Sequence, residues 1–333
     1  MTLTSCPKSM TYGPCGGVAG EGSCEVAPDP CVFLDRPTRR WPGTPAAPGA
    51  TVESGLAALL GTRPVVVADL PAAALSRASL EQTTDALLGS VDAVLMGDSG
   101  GARVQFPASY RAGVVQARGM AAWSGLTCRD RNRVALEGEL AALADLGVAA
   151  VHCVTGDHTS TGDRPDAAPV FDLDSTELAA LAAQAGLLVS VGEAPAGPPV
   201  DRRPARLAEK VRAGARACFV NHAGGAAAVG GFVAAAREAG ADVPFLACVA
   251  VALDPGSAAE LRRFPGLVLP PGYLAAIESA PDPRRAGIAA AVTLAESYLA
   301  VPGVVGIDLS AVPAPGRELQ TAAALAEIGR ALR

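Results

Sequence analysis

The sequence predicts a (β/α)8 TIM barrel preceded by a small cysteine-rich metal- or cluster-binding segment. The chain has 333 residues, 50% of them hydrophobic, so it can bury one barrel core with a small appendage. After residue 60, eight short apolar runs alternate with longer helical patterns. The runs are apolar throughout, which is typical of parallel strands covered by helices. Eight such units in about 280 residues favour a closed barrel over a doubly wound sheet.

The strands and helices are predicted from where these patterns begin and end. The eight strands are predicted at 64–69, 91–96, 119–127, 148–154, 187–193, 217–221, 244–251 and 303–309. The helices are predicted at 72–88, 131–146, 174–185, 203–213, 227–239, 257–263, 284–299 and 316–332. The segment 98–118 is expected to hold a loop and a helix. No Gly-x-Gly-x-x-Gly motif follows a strand, so a dinucleotide-binding sheet is not indicated.

Three domains follow from composition. Residues 1–35 are the cysteine-rich domain, 36–55 a proline-rich linker, and 56–333 the barrel. Residues 36–50 contain four prolines and no hydrophobic period, which is typical of a linker or an extended strap.

Four cysteines define the first domain: Cys6, Cys15, Cys24 and Cys31. The surrounding glycines and prolines offer little to bury, so a cross-link must supply the folding free energy. Zn²⁺ or a [4Fe-4S] cluster is predicted, although the Cys-x8-Cys-x8-Cys-x6-Cys spacing matches no standard zinc or ferredoxin pattern. Disulfides or free thiols are the alternative. Disulfides are disfavoured because no apolar signal region begins the sequence.

The charge balance limits the possible partners. The net charge is −6, and no long basic run is present. Nucleic acid and anionic membranes are therefore poor candidate partners, and no apolar stretch is long enough to span a bilayer. The chain is expected to be soluble and cytoplasmic, with an oligomer possible.

Polar residues follow most of the predicted strands. Because active sites of barrels form at the carboxyl ends of the strands, these residues predict a polar, acidic cup there. Each one alone could instead cap a helix. The cup residues expected to bind substrate are Asp98, Glu193, Asn221 and His222. His152 lies within a strand and is expected in the barrel interior, because no zinc spacing template fits it with Cys153 and His158.

Three short motifs follow one another along the chain: Leu126-Thr127-Cys128, Val154-Thr155-Gly156-Asp157 and the segment 208–215. In order and spacing they resemble the motifs of methylenetetrahydrofolate reductases. The cysteine pattern Cys-Pro-Lys-x-Met-x-x-Gly-Pro-Cys-Gly-Gly, with Gly-x-Cys-Glu-Val, looks like the cysteine-rich domain attached to some related proteins of one-carbon metabolism. The two resemblances together imply a folate-linked protein.

The resemblance implies reduction of 5,10-methylenetetrahydrofolate to 5-methyltetrahydrofolate, a step toward methionine biosynthesis. Electrons in the family pass from NAD(P)H through a bound FAD. The implied catalytic residues are Asp69, an acid for the leaving nitrogen, and Asp157, which stabilises the iminium cation; Asn221 matches a pterin-binding amide. The implied cofactor-binding residues are Thr127, Thr155, Gly156, Asp157 and Lys210.

The sequence also departs from the family pattern. Thr155 replaces an arginine, Gly125 a histidine, and the segments at 192–193 and 221–225 lack aromatic residues that contact flavin. At about 1 kcal/mol for each contact, flavin binding should weaken by several kcal/mol, so direct hydride transfer from nicotinamide is an alternative. Two other functions stay open: an electron-entry or assembly subunit with a redox or methyl-transfer protein partner, and a methyl-folate-binding barrel for methyl transfer.

Overall fold

A computed structural model of the chain describes residues 5–44, 55–98, 101–264 and 266–333. The strands are β1 (Ser23–Cys24), β2 (Ala27–Pro30), β3 (Val65–Asp69), β4 (Ala93–Met96), β5 (Ala122–Thr127), β6 (Ala150–Val154), β7 (Val189–Glu193), β8 (Ala217–Val220), β9 (Phe245–Ala250) and β10 (Val304–Ser310). The α-helices are α1 (Gly55–Leu59), α2 (Arg77–Leu87), α3 (Ala108–Ala117), α4 (Arg133–Asp145), α5 (Ser175–Gln184), α6 (Arg203–Ala213), α7 (Ala226–Glu238), α8 (Pro255–Leu261), α9 (Tyr273–Glu278), α10 (Pro283–Leu299) and α11 (Glu318–Ala331).

Strands β3 to β10 close into a parallel barrel in the order β10-β3-β4-β5-β6-β7-β8-β9. Helices lie between successive strands, so the predicted (β/α)8 fold is confirmed. Each of the eight strands overlaps its predicted run. In β10, Asp308 lies opposite Val67 on one side and opposite Cys248 on the other. All three positions therefore face the barrel interior, because parallel neighbours in register point to the same face.

Large side chains fill the part of the barrel interior that lies toward the amino-terminal ends of the strands. The Trp123 indole N–H donates to Ser190 Oγ at 2.8 Å, and its ring meets Phe219 edge-on, with ring centroids 4.9 Å apart. His152 Nδ1 lies 2.9 Å from the same Ser190 Oγ, as expected for a residue of the barrel interior. Leu56 of α1 packs into this cluster and covers the amino-terminal end. The opposite, carboxyl-terminal end is the one at which active sites of such barrels form.

Three local differences from the predicted elements have physical causes. Helix α2 begins at Arg77 rather than at residue 72, because Ser76 Oγ accepts from Ser79 N–H and caps the first turn. Helix α9 was not predicted; it is only 6 residues long and begins after left-handed Gly272. Helix α1 begins at the last residue of the predicted linker, of which residues 45–54 lie outside the described residues.

Within the described residues, no helix is both long and apolar enough to cross a membrane.

The interior tryptophan gives a stability prediction. Replacing Trp123 by Ala should lower the free energy of unfolding by about 3–5 kcal/mol, because loss of the fully buried indole leaves a cavity and removes one hydrogen-bond partner of Ser190 Oγ. Urea unfolding followed by circular dichroism would measure it. Val134→Ala, at a side chain 77% exposed, is the matched control and should change stability by less than about 0.5 kcal/mol. Equal effects of both changes would contradict the described interior.

Candidate functional site

The carboxyl ends of the barrel strands carry the predicted site residues, but the structure separates these residues into distinct groups. Strand alternation decides the grouping, since neighbouring residues of one strand point to opposite faces. Four groups can be distinguished: an interior acidic group, a mouth group, an arginine-bound carboxylate, and an ion pair on the helix side.

Asp69 and Asp308 form the interior acidic group. Asp69, at the end of β3, accepts a hydrogen bond from Ser310 Oγ at 2.7 Å. Burial raises the pKa of Asp69 to about 6, although the Ser310 hydrogen bond lowers it. Burial, together with the negative charge of Asp69, raises the pKa of Asp308 well above its ordinary value. Asp308 is almost fully buried, and its Oδ1 has no hydrogen-bond partner among the described residues.

Asn221 and His222 form the mouth group. Asn221 is exposed, and its side-chain oxygen accepts from the Cys248 thiol at 3.6 Å. His222 is half-buried with an unpartnered Nδ1, and burial lowers its pKa to about 4. His222 is therefore neutral at neutral pH. These two residues offer uncharged donors and acceptors beside the interior carboxyls.

Asp98 is held by arginines. Its Oδ1 lies 3.2 Å from Arg111 Nη2, and its Oδ2 accepts from Thr127 Oγ1 at 2.6 Å. Arg129 and Arg131 also contact Oδ2. Burial would raise the pKa of Asp98, but the guanidinium groups of Arg131 and Arg111 hold it below its usual range. Asp98 is thus a carboxylate held in place by arginine side chains, and it accepts the hydrogen bond that the Thr127 hydroxyl donates.

Glu193 does not line the mouth, contrary to the expectation from the sequence. Gly192 takes the interior position of β7, so Glu193 points to the helix layer. Its oxygens lie 2.9 Å from Lys210 Nζ and 3.2 Å from Arg203 Nη1, and all three side chains are buried. Lys210 also donates to the Gly192 carbonyl at 2.6 Å. Lys210 is therefore occupied by β7 and does not face the cup.

The loop after β6 carries Asp157. This residue is exposed at the open end of the barrel. Gly156 has φ +87°, and an added Cβ would lie 2.8 Å from Thr127 Cβ, so only glycine fits beneath Asp157. Thr155 Oγ1 accepts from Ser175 N–H at 3.2 Å, which joins the loop to the start of α5.

The cysteine segment (residues 1–35) docks on this loop. Lys8 Nζ donates to Gly156 O at 2.8 Å and pairs with Glu25 Oε1 at 2.5 Å. The same Glu25 oxygen accepts from His158 N–H at 2.8 Å. Sequence reasoning missed Lys8 and Glu25 as docking residues. The available signal was their charge, since charged residues are scarce in this segment.

A second docking contact reaches the helix side. Arg203 Nη1 donates to the carbonyl of Cys15 at 3.0 Å while it pairs with Glu193. Asp174 Oδ2 accepts from the backbone N–H groups of Thr11 at 3.3 Å and Tyr12 at 3.4 Å. The segment therefore lies at the site end of the barrel, beside β6 and β7.

Cys6, Cys15, Cys24 and Cys31 are free and half-buried. Burial raises the pKa of Cys6 and of Cys31, and the other thiols of the set raise it further. Their chemistry suits Zn²⁺ or an iron–sulfur cluster. Across the described ranges, however, no three or more His, Cys, Asp or Glu side chains are arranged to hold a metal ion. The four thiols, as the described residues place them, are therefore not arranged as a metal site.

The residues expected to bind flavin are mostly engaged within the protein. Thr127 donates to Asp98, Thr155 accepts from the backbone of α5, the Gly156 carbonyl accepts from Lys8, and Lys210 is paired with Glu193. Asp157 alone of the five is exposed. The side chains present do not fit FAD in the manner that the resemblance implies.

Comparison with known proteins supports the resemblance at two levels. Residues 2–40 match the family described as "Methylene-tetrahydrofolate reductase C terminal". A solved structure of an uncharacterized protein from Clostridium thermocellum, described as binding two copies of 5-methyl-5,6,7,8-tetrahydrofolic acid, has a TM-score of 0.60 at 12% identity. The similarity covers 83% of this chain and 98% of that one.

At 12% identity, this structural likeness concerns the fold alone, and 448 solved chains match the present structure. No curated protein matches this sequence. The family match of the cysteine segment and the closed parallel barrel together fit the predicted resemblance, a TIM barrel of the methylenetetrahydrofolate reductase family.

Proposed function

We propose that the open end of the barrel binds a reduced folate and reduces 5,10-methylenetetrahydrofolate to 5-methyltetrahydrofolate with NAD(P)H. The Clostridium thermocellum protein of the same fold is described as binding 5-methyltetrahydrofolic acid, which is the product of that reaction. The match of residues 2–40 to a family named after methylenetetrahydrofolate reductase supports a folate-related function. Both findings support a folate ligand; the reductase step is our proposal.

The observation that carries this proposal is the state of Asp69. It lies at the open end of the barrel, forms no ion pair among the described residues, and has a pKa raised to about 6. A carboxyl group of this kind holds a proton close to neutral pH and can give it to an amine nitrogen. In the proposed reaction, the proton goes to N10 of the folate as the bond between N10 and the methylene carbon breaks. The electron pair of that bond stays on N10, and a 5-iminium cation remains.

Two other residues have proposed roles in the same step. Asp157 is exposed at the same end and would stabilise the iminium cation by its charge. Asn221 would hydrogen-bond the pterin, because its amide both donates and accepts. A hydride from NAD(P)H then reduces the iminium carbon to a methyl group. We propose no step through FAD, since the expected flavin residues are engaged elsewhere.

A second candidate function is a folate-binding subunit without reductase activity, which would serve a redox or methyl-transfer partner protein. The specific observation in its favour is the buried pairing of Lys210 with Glu193, which removes the basic residue expected at the flavin phosphates. The purified chain separates the two functions. Oxidation of NAD(P)H that depends on methylenetetrahydrofolate supports the reductase, whereas binding of 5-methyltetrahydrofolate by calorimetry without turnover supports the subunit.

Asp69→Asn should lower kcat roughly 100-fold, because the amide cannot give a proton to N10. The wild-type rate should fall as pH rises through about 6, where Asp69 loses its proton, and this decline should be absent in the variant. Steady-state kinetics from about pH 5 to 8, a range that brackets the pKa of Asp69, would measure the loss of kcat and its pH dependence. Normal turnover by a folded Asp69→Asn protein would remove Asp69 from the mechanism.

Asp157→Asn should also lower kcat roughly 100-fold, here because the cation loses its counter-charge, while the pH dependence set by Asp69 is kept. The difference between the two variants separates acid catalysis from charge stabilisation. Asp172→Asn, at an exposed carboxylate that accepts from Arg133 N–H on α4, is the control and should leave kcat unchanged. If Asp157→Asn behaved like this control, Asp157 would have no part in the reaction.

We also propose that the four cysteines of the segment hold one zinc ion or one iron–sulfur cluster. Because burial and the neighbouring thiols keep the pKa of Cys6 and Cys31 high, loading should release protons to solvent. Elemental analysis of anaerobically prepared protein should give about one zinc or about four irons per chain. Cys15→Ser should release the metal and expose residues 1–35 to proteolysis, whereas Cys153→Ser, in the barrel wall, should not. Native protein without metal, in which all four thiols react freely, would refute the proposal.

A further inference from the structure

The buried carboxyl groups of the barrel fall into two kinds. Asp98, Asp174 and Glu193 each lie within 4 Å of an arginine or lysine nitrogen. Asp69 and Asp308 differ from them. In the part of the chain that the structure describes, no ion pair involves either residue, although Asp308 is only 3% exposed.

A buried carboxylate without a cation is costly, and two of them close together are costlier still. Asp308 and Asp69 lie on adjacent strands, β10 and β3, both facing the interior, with Asp308 one step deeper at the level of Val67. The Ser310 hydroxyl is donated to Asp69, so it cannot serve Asp308. Asp308 Oδ1 consequently has no donor. A carboxyl group in such a place is stable when it keeps its proton.

The groups around the pair supply no positive charge. Cys248 of β9 lies opposite Asp308 and donates its thiol to Asn221, and burial together with both carboxyls raises the pKa of Cys248 well above its ordinary value. His222 at the end of β8 is neutral because burial lowers its pKa to about 4. Strand β4 contributes Leu95 beside Asp69, which is apolar. The surroundings thus leave room for one negative charge at most.

We propose that Asp69 and Asp308 form a two-carboxyl acid–base pair that keeps one proton on Asp308 at neutral pH, while Asp69 exchanges its own proton with the bound ligand. Asp308 is then a positioning residue that acts through Asp69. By staying uncharged, it lets Asp69 ionise and be reprotonated near neutral pH. For the identity of the ligand, a reduced folate with an amine nitrogen to protonate, the inference rests on the proposed function.

The proton on Asp308 can be observed directly. In protein labelled with carbon-13 at the aspartate side-chain carboxyls, a pH titration without ligand should show one carboxyl still protonated at pH 7 and a second that titrates near pH 6. The wild-type spectrum is sufficient to refute the inference, even if a variant fails to fold: ionisation of every aspartate at pH 7 overturns it.

Variants assign the two signals. Asp308→Asn should remove the protonated signal and leave the titration near pH 6 in place, because one neutral group replaces another. Asp69→Asn should remove the titration near pH 6 and let Asp308 ionise at lower pH, because the charge that opposed its ionisation is gone. Asp157→Asn, at an exposed carboxyl of the same barrel end, is the control and should alter neither signal.

A fall of more than about one unit in the Asp69 midpoint on Asp308→Asn would show that Asp308 carried a charge, and the inference would then be wrong. Folate binding is measured separately by calorimetry. If the protonated carboxyl is found and no folate binds, the proposed function fails while the carboxyl pair stands. If folate binds and all aspartates are ionised at pH 7, the carboxyl pair fails while folate binding stands.

Discussion

Every barrel residue is constrained by the closed sheet, which gives a side chain only two directions, the interior or the helix layer. The next residue along a strand points in the opposite direction. Asp308 and Asp69 are interior positions that form no ion pair with any described residue, whereas Glu193 points outward to Lys210 and Arg203. Residue types that look equivalent in the sequence thus become a proton-holding group in one case and part of a buried ion pair in the other. The chemistry available at the open end depends on this sorting.

Much of the fold could be predicted because the hydrophobic pattern records it. The apolar runs of a parallel barrel are buried on both faces, so all eight strands were found. The ends of helices that depend on local contacts were harder to predict from the sequence. The Ser76 cap shortened α2, and α9 is too short to show a helical period. These features depend on single hydrogen bonds, which a period of several residues does not reveal.

The site was only partly predictable for a related reason. Polarity at strand ends predicted a site at the carboxyl-terminal end of the barrel, and Asp69, Asp157 and Asn221 all lie at that end. It could not say which side chain faces which layer, so Glu193 was placed in the cup. The resemblance placed Lys210 near a flavin, although Lys210 pairs with Glu193 on the helix side. The alternation of side chains along β7 would have indicated that Glu193 points to the helix layer, since Gly192 occupies the interior position. The role of Asp308 depends on the absence of a nearby cation, a property of packing that residue order does not contain.

The contact between Lys8 and Gly156 spans 148 residues of sequence. Loop-closure entropy grows slowly with length, so the distance itself costs little stability, but the partner loop does not exist until half the barrel has been made. On the ribosome, the cysteine segment therefore leaves the exit tunnel well before its docking surface is folded. Its thiols spend that interval in contact with solvent. The order of synthesis thus leaves the thiols of the segment accessible to solvent for a time. This period ends when the Lys8 ammonium donates its hydrogen bond to the loop after β6.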